Sequence, residues 1–354
     1  MKNFKSFKIS EATVDYRHVS IKHTVRTAFG AMRKRHAVFV LLRSTSGNAG
    51  IGESWINFPS WACDERLAAF NSALNPFLTG QHITDIPAFI TQMFQEFSGP
   101  SRQSGTIASL VQALCAVELA LWDLAAAQED LPLCELLFDA PVYQVPVYAS
   151  GINSPLPWEL IERHLDLGVK LFKLKLGLGE DEDRENLDTL TGYLTDRAEL
   201  AVDINRGWTL EQAVHWIPIL QECGVAWIEE PLTPEHESHM DELKEVCDIP
   251  IAGGENCLLE PGEDPDRLFE TGLDIIQPDI TKYCPLHIAC RSVKTAKNEN
   301  RRIVPHFLGA APGQAATLHF AAGCPTPLVE YDINKNPLRT NLFVEPFDIE
   351  DGCI

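Results

Sequence analysis

Leu171-Phe172-Lys173-Leu174-Lys175, Ala201-Val202-Asp203-Ile204-Asn205, Trp227-Ile228-Glu229-Glu230-Pro231 and Ile251-Ala252-Gly253-Gly254-Glu255-Asn256 are runs that stay apolar until they end on charge. Each is short enough for a buried strand, and the spacing between them is that of one strand plus one helix. Extending the pattern outward gives strand-like runs at 145–152, 171–177, 200–205, 226–230, 249–254, 274–280, 303–307 and 328–331. Helical patterns such as 210–223 and 287–297 lie between them. Eight short strands in alternation with helices predict an α/β fold of the (β/α)8 TIM-barrel type over residues 141–332. The last βα unit is short.

The first 140 residues read differently. Strand patterns at 7–14 and 37–43, with Gly47, Gly50 and Gly52 at turns, precede a long amphipathic helix at 106–129 carrying Glu118, Trp122 and Asp123. Strands followed by helices predict an α+β domain capping the barrel. Residues 333–354 form a C-terminal segment expected to return toward that cap.

Composition narrows the class. The 354 residues are 45% apolar, enough for a large core without staples. The ten cysteines include no Cys-x-x-Cys pair, which excludes zinc-ribbon and thioredoxin readings and fits a reducing, cytoplasmic setting. No run of apolar residues is long enough to suggest a membrane span, and no signal peptide is visible. The net charge of −21 argues against nucleic-acid or membrane partners. A cluster of Lys22, His23, Arg26, Arg33, Lys34, Arg35 and His36 runs against that charge.

Active sites of such barrels lie at the C-terminal ends of the strands. The second to eighth strands end in Lys173 and Lys175, Asp203 and Asn205, Glu229, Glu255, Asp279, His306 and Glu330. A strand-end acid can simply cap the next helix, but ionisable groups at seven successive strand ends need a common purpose. Asp203, Glu229 and Glu255 are 26 residues apart, which places three carboxylates on adjacent strands at one height. An all-oxygen set without His or Cys suits a hard cation, with Mg²⁺ the natural candidate. Lys173 and Lys175 point the same way on one strand, and like charges lower each other's pKa toward that of a base. Asp279 and His306 end neighbouring strands as a carboxylate–imidazole dyad.

In order and spacing, Lys-x-Lys, Asp-x-Asn, Glu-Glu-Pro, Gly-Gly-Glu, Pro-Asp and Pro-His resemble the mandelate racemase-like branch of the enolase superfamily. The Gly50-Ile51-Gly52-Glu53 turn and Leu121-Trp122-Asp123 look like that family's capping domain. The stretch from Ile303 to His306, with Glu330-Tyr331-Asp332 and Asn336-Pro337, looks closest to acid-sugar dehydratases and galactarolactone cycloisomerases.

The resemblance implies Mg²⁺ on Asp203, Glu229 and Glu255, and abstraction of the α-proton of a small carboxylic acid by way of an enediolate. It assigns Lys175 and His306 as bases on opposite faces, His306 being backed by Asp279. Lys173, Asn205 and a protonated Glu330 would hold the substrate. Dehydration of a hydroxy acid or acid sugar is the leading expectation, with racemisation, epimerisation or lactone cycloisomerisation as the alternative. A homo-oligomer is expected. The family often continues after Asp279 with Lys-x-Gly-Gly, where this chain has Lys282-Tyr283-Cys284-Pro285.

A metallohydrolase barrel would need a His-x-His strand end, and none occurs. A non-catalytic barrel would have lost some of the strand-end groups. The basic stretch is read as a cap loop over the barrel mouth, with Gly30, between Phe29 and Ala31, as its hinge. Arg26 or Arg33 would recognise a second acidic group or a lactone carbonyl, unless these residues simply pair with surface acids.

Overall fold

The computed structural model describes residues 1–354 apart from Phe29, Asn57, Phe58, Ser60 and the side chain of His23. The barrel strands are β5 (Val147–Ile152), β6 (Leu171–Lys175), β7 (Glu199–Asp203), β8 (Ile228–Glu229), β9 (Ile251–Gly253), β10 (Ile275–Ile276), β11 (Arg302–Ile303) and β12 (Val329–Asp332). They form one parallel sheet in the order β11-β10-β9-β8-β7-β6-β5-β12. Its interior layer is Tyr148, Leu171, Ala201, Trp227, Ala252, Ile275 and Val304. The chemistry-bearing strand ends lie beyond this plug, so the barrel is packed below and polar above.

The cap is a four-stranded antiparallel sheet ordered β3-β2-β1-β4, from β1 (Phe7–Thr27), β2 (Gly30–Ser44), β3 (Ala49–Ser54) and β4 (His82–Ile83). Its helices are α1 (Ala62–Ala69), α2 (Asn75–Leu78), α3 (Ile86–Ser104), α4 (Ile107–Glu129) and α5 (Leu133–Leu137). Helix α3 starts at Asp85, whose carboxylate accepts from the Ala88 N–H, and stops at left-handed Gly105.

Three cap expectations change, two of them in its core. Helix α4 is not amphipathic. It is apolar on all sides and nearly wholly buried, because it lies between the cap sheet and the barrel. By length and composition it would pass for a membrane span, but it is a core helix. Gly50 and Gly52 sit within β3 rather than at turns. A Cβ there would stand 2.2 Å from the Ala120 carbonyl oxygen and 2.0 Å from that of Ala116, so only glycine lets α4 pack this closely.

Barrel helices are α6 (Trp158–Asp166), α7 (Glu180–Leu194), α8 (Leu210–Glu222), α9 (Met240–Lys244), α10 (Leu286–Glu299), α11 (Ala311–Ala321) and α12 (Pro337–Thr340). Helix α8 opens with a reciprocal capping box between Thr209 and Gln212. After β9 the chain forms only a 3₁₀ helix, Pro265–Thr271. The C-terminal segment divides. Leu338 of α12 packs with Ala37 and Phe39 of the cap. The last residues instead run under the opposite end of the barrel, where Ile354 and Val145 exchange backbone hydrogen bonds.

The basic stretch is strand rather than loop. β1 and β2 pair as a long hairpin with Val25 opposite Met32 and Thr27 opposite Gly30. Phe29, in the proposed hinge, lies outside the described residues. At the hairpin's tip Ala28 sits against Gly177 and Gly207, just past the ends of β6 and β7. The hairpin therefore reaches the barrel mouth.

Candidate active site

Parallel register fixes the heights of the strand-end groups. Lys175 is opposite Asp203, and Asp203 is opposite Glu229. All the side chains involved are buried. Lys173 Nζ lies 2.6 and 2.7 Å from the two Glu229 carboxylate oxygens, 2.8 Å from Glu330 and 3.6 Å from Asp203. Lys175 pairs with Asp203 and donates to Asn205 Oδ1 at 2.9 Å. Glu255 is 3.0 Å from His306 Nε2 and 3.3 Å from Lys282 Nζ. On its other side His306 Nδ1 is 2.8 Å from Asp279. Glu330 also accepts from Ser150 Oγ and from the Phe307 N–H.

The structure thus brings Lys173, Lys175, Asp203, Asn205, Glu229, Glu255, Asp279, His306 and Glu330 into one connected polar layer. It does not bring in Arg26 or Arg33. Arg26 pairs with Glu182 of α7 at 2.6 Å, and Arg33 is exposed. Among the described side chains of the basic stretch, Arg35 reaches a barrel strand, bonded to Asp332 Oδ2 of β12 at 2.5 Å.

Electrostatics correct two expectations. Lys173 does lower the pKa of Lys175, as like charges must, but the nearby carboxylates outweigh it. Burial does oppose their charge, but Glu229 and Glu330 carry Lys173 well above its ordinary value, and Asp203 raises Lys175. Glu330, expected to be protonated, is instead drawn toward its charged form: against the effect of burial, Lys173 and His306 hold its pKa down at about 2. His306 is driven well above its ordinary value, because Glu255, Glu330 and Asp279 outweigh burial. Glu229 rises to about 8 through burial and the charge of Asp203.

Several site residues carried no sequence signal of their own. Gln277 donates to Glu229 at 2.7 Å, Ser150 holds Glu330, and Asn256 donates to both Glu230 oxygens at 2.9 Å. Lys282 bridges Glu255 and Asn256 and lies 4.4 Å from the centre of the Trp55 ring, a cap residue. Ser150, Gln277 and Asn256 are neutral polar residues in or beside apolar runs, a pattern that single-strand reading passes over.

The acid layer can be tested against a cation. Among the described residues, no three His, Cys, Asp or Glu side chains converge into a ready-made metal cluster. The chain's own cations occupy the oxygens instead. The donor chemistry nevertheless fits a hard cation: Asp203 and Glu229 are buried carboxylates in direct register, and together with Glu255 they offer only oxygen donors.

A capped βα barrel with lysines, carboxylates and a His–Asp dyad on its strand ends defines an enzyme of the enolase type. Residues 159–354 match the profile described as enolase C-terminal domain-like. Residues 10–137 match that of the mandelate racemase/muconate lactonizing enzyme N-terminal domain. The chain belongs to the mandelate racemase/muconate lactonizing enzyme family of the enolase superfamily. It is 25% identical to D-galactarolactone cycloisomerase of Agrobacterium fabrum, over 94% of this chain and 91% of that protein. It is 29% identical to L-talarate/galactarate dehydratase of Salmonella typhimurium, over 88% of this chain and 75% of that one. Among solved structures, a mandelate racemase/muconate lactonizing enzyme from Bordetella bronchiseptica superposes with a TM-score of 0.87 at 28% identity, covering 99% and 94% of the two chains.

Proposed function

We propose that the protein removes the α-proton of a small hydroxy acid, most directly an acid sugar, and expels the β-hydroxyl as water. The observation that carries this reading is the His306–Asp279 dyad, set in the same buried layer as Lys175, Lys173 and the strand-end carboxylates.

Asp203, Glu229 and Glu255 would hold Mg²⁺. Such an ion would supply a Lewis acid for the substrate carboxylate, and Asp203, as one of its holders, would no longer keep the proton on Lys175. Lys175 Nζ, oriented by Asn205, accepts the α-proton. The electron pair left at the α-carbon spreads onto the carboxylate, where Lys173 stabilises the added charge. It then forms the double bond as the β-hydroxyl departs. His306, whose Nδ1 is held by Asp279, gives that hydroxyl its proton from Nε2. The enol product tautomerises to a 2-keto-3-deoxy acid.

Incubating acid sugars with the protein and Mg²⁺ in D₂O tests the reading. A 2-keto acid trapped as its semicarbazone supports dehydration. Deuterium incorporation with inversion, or interconversion of lactones, would establish the racemase, epimerase or cycloisomerase chemistry instead. No exchange at any α-carbon would refute proton abstraction.

A further inference from the structure

Arg35 is 1% exposed, Asp332 2% and Arg339 6%. Both guanidinium groups face the same carboxylate: Arg35 Nη2 is 2.5 Å from Asp332 Oδ2, and Arg339 Nη1 is 4.0 Å from it. The remaining Asp332 oxygen is used by the Asn334 backbone and side-chain N–H groups. The cluster is therefore two cations to one anion, out of water. Its hydrogen bonding is also short of acceptors. Among the described residues, Arg35 Nη1 meets only the Met32 sulfur, and the Nε atoms of Arg35 and Arg339 have no partner. A buried excess charge with unmet donors is costly unless an anion completes it.

The cluster's position says which anion. Asp332 is two residues beyond Glu330 on the same face of β12, about 7 Å further toward the barrel mouth at a strand's rise per residue. Glu330 lies in the reacting layer, bonded to Lys173. Arg35 thus sits one layer above the chemistry, on the underside of the hairpin. The hairpin's Val25 and Met32 are also buried. A short carbon chain with its reacting carboxylate at Lys173 would bring its far end to Arg35.

We propose that Arg35, positioned by Asp332 and assisted electrostatically by Arg339, binds a second carboxylate of the substrate, which is therefore a sugar diacid (an aldarate). This rests on the proton-abstraction reading for the reacting end. A guanidinium fork matches a carboxylate's two oxygens, whereas the uncharged terminal alcohol of an aldonate leaves the excess charge uncompensated.

The test compares galactarate, D-glucarate and talarate with the aldonates of matching configuration, using the full chain with Mg²⁺. Binding is read by thermal shift and calorimetry, and chemistry by α-proton exchange in D₂O. The wild type should bind at least one diacid in preference to its monoacid. Arg35→Met should weaken that diacid about 100-fold and the monoacid by less than about threefold, because only the diacid loses charge-assisted bonds. Arg35→Lys and Arg339→Met should each weaken diacid binding about tenfold, and they carry the test if Arg35→Met does not fold. Equal losses on diacid and monoacid, or no diacid preference in the wild type, overturn the subsite. Diacid binding that depends on Arg35 without α-proton exchange keeps the subsite and refutes the reaction. Exchange that ignores Arg35 does the reverse.

Discussion

Replacing Asp279 by asparagine should trap His306 in the wrong tautomer, and the hydrogen bonds already show which way the new amide must turn. Asp279 Oδ1 accepts from the Thr281 N–H at 2.8 Å and from Thr281 Oγ1 at 2.6 Å, while Oδ2 faces His306 Nδ1 at 2.8 Å. A backbone N–H cannot become an acceptor, so the oxygen of the introduced amide must stay on Thr281. Its NH₂ is then aimed at His306 Nδ1. An imidazolium would present N–H against N–H, so the ring turns neutral with its proton on Nε2. The loss of a hydrogen bond to a charged group is worth about 1.5–3 kcal/mol, or one to two powers of ten in the imidazolium population. With Nε2 unable to act in its normal cycle, kcat should fall by about 10²–10⁴. The tautomer is read directly by ¹⁵N NMR of His306 in the metal-free protein, without any substrate. Turnover is read with any acid the wild type converts, and Mg²⁺ affinity by calorimetry. Wild-type tautomer signals at the same pH, or a kcat within about threefold of wild type, well inside the usual range for acid–base loss, would refute the positioning role.

Lys175→Ala and His306→Asn should each abolish turnover while Mg²⁺ still binds, measured by single-turnover kinetics beside calorimetry. Full turnover by either variant removes that residue from the chemistry. Burial raises the Glu53 pKa from 4.5 to about 7, against hydrogen bonds from the Ala310 and Gly313 N–H groups. The folded state then holds a proton the unfolded state has lost, so Glu53 makes stability fall by about 3 kcal/mol as pH rises from 4.5 to 7, levelling off above. Glu53→Gln should remove that part of the slope in urea titrations across the range, and an unchanged slope would deny it. Gly52→Ala forces a Cβ to 2.0 Å from the Ala116 carbonyl, so a loss above about 3 kcal/mol is expected in the same urea assay, and a near-neutral result would mean α4 can move aside.

The barrel and its charged rim were legible because each strand announces itself locally. An apolar run followed by an ionisable residue needs no knowledge of its neighbours, and parallel register then stacks Lys175, Asp203 and Glu229 side by side. The signs of the pKa shifts were not legible, because they come from other strands. Lys173 beside Lys175 suggests mutual repulsion until Glu229 and Glu330 are seen to close on it. The hairpin was hidden for a related reason. Val19-Ser20-Ile21-Lys22 and Val25-Arg26 do alternate, but the polar run Arg33-Lys34-Arg35-His36 breaks the pattern and reads as a solvated loop. Arg35 is one cation among several in sequence, and its burial comes from Asp332, 297 residues away. Gly50 and Gly52 read as turn residues because nothing in β3 says that a helix backbone will press against it.

The contacts between cap and barrel argue that the cap belongs to the catalytic apparatus rather than merely covering it. Its tethers land next to the reacting groups. The Trp55 N–H donates to the carbonyl of Thr281, the same residue whose N–H and hydroxyl fix Asp279. The Trp55 ring lies against Lys282, which holds Glu255. Glu53 accepts from Ala310 and Gly313 at the start of α11, just beyond His306. In α4, Glu118 accepts the His287 N–H at 2.8 Å and also takes the Trp122 indole N–H, locking α4 to the first turn of α10. Arg35 then spans from the hairpin to the end of β12. Asp279, Glu255 and Glu330 are thus each within two residues, or one side chain, of a cap contact, and His306 lies four residues before one. A fixed acid–base pair needs that rigidity, since a small displacement of a reacting group is costly in rate.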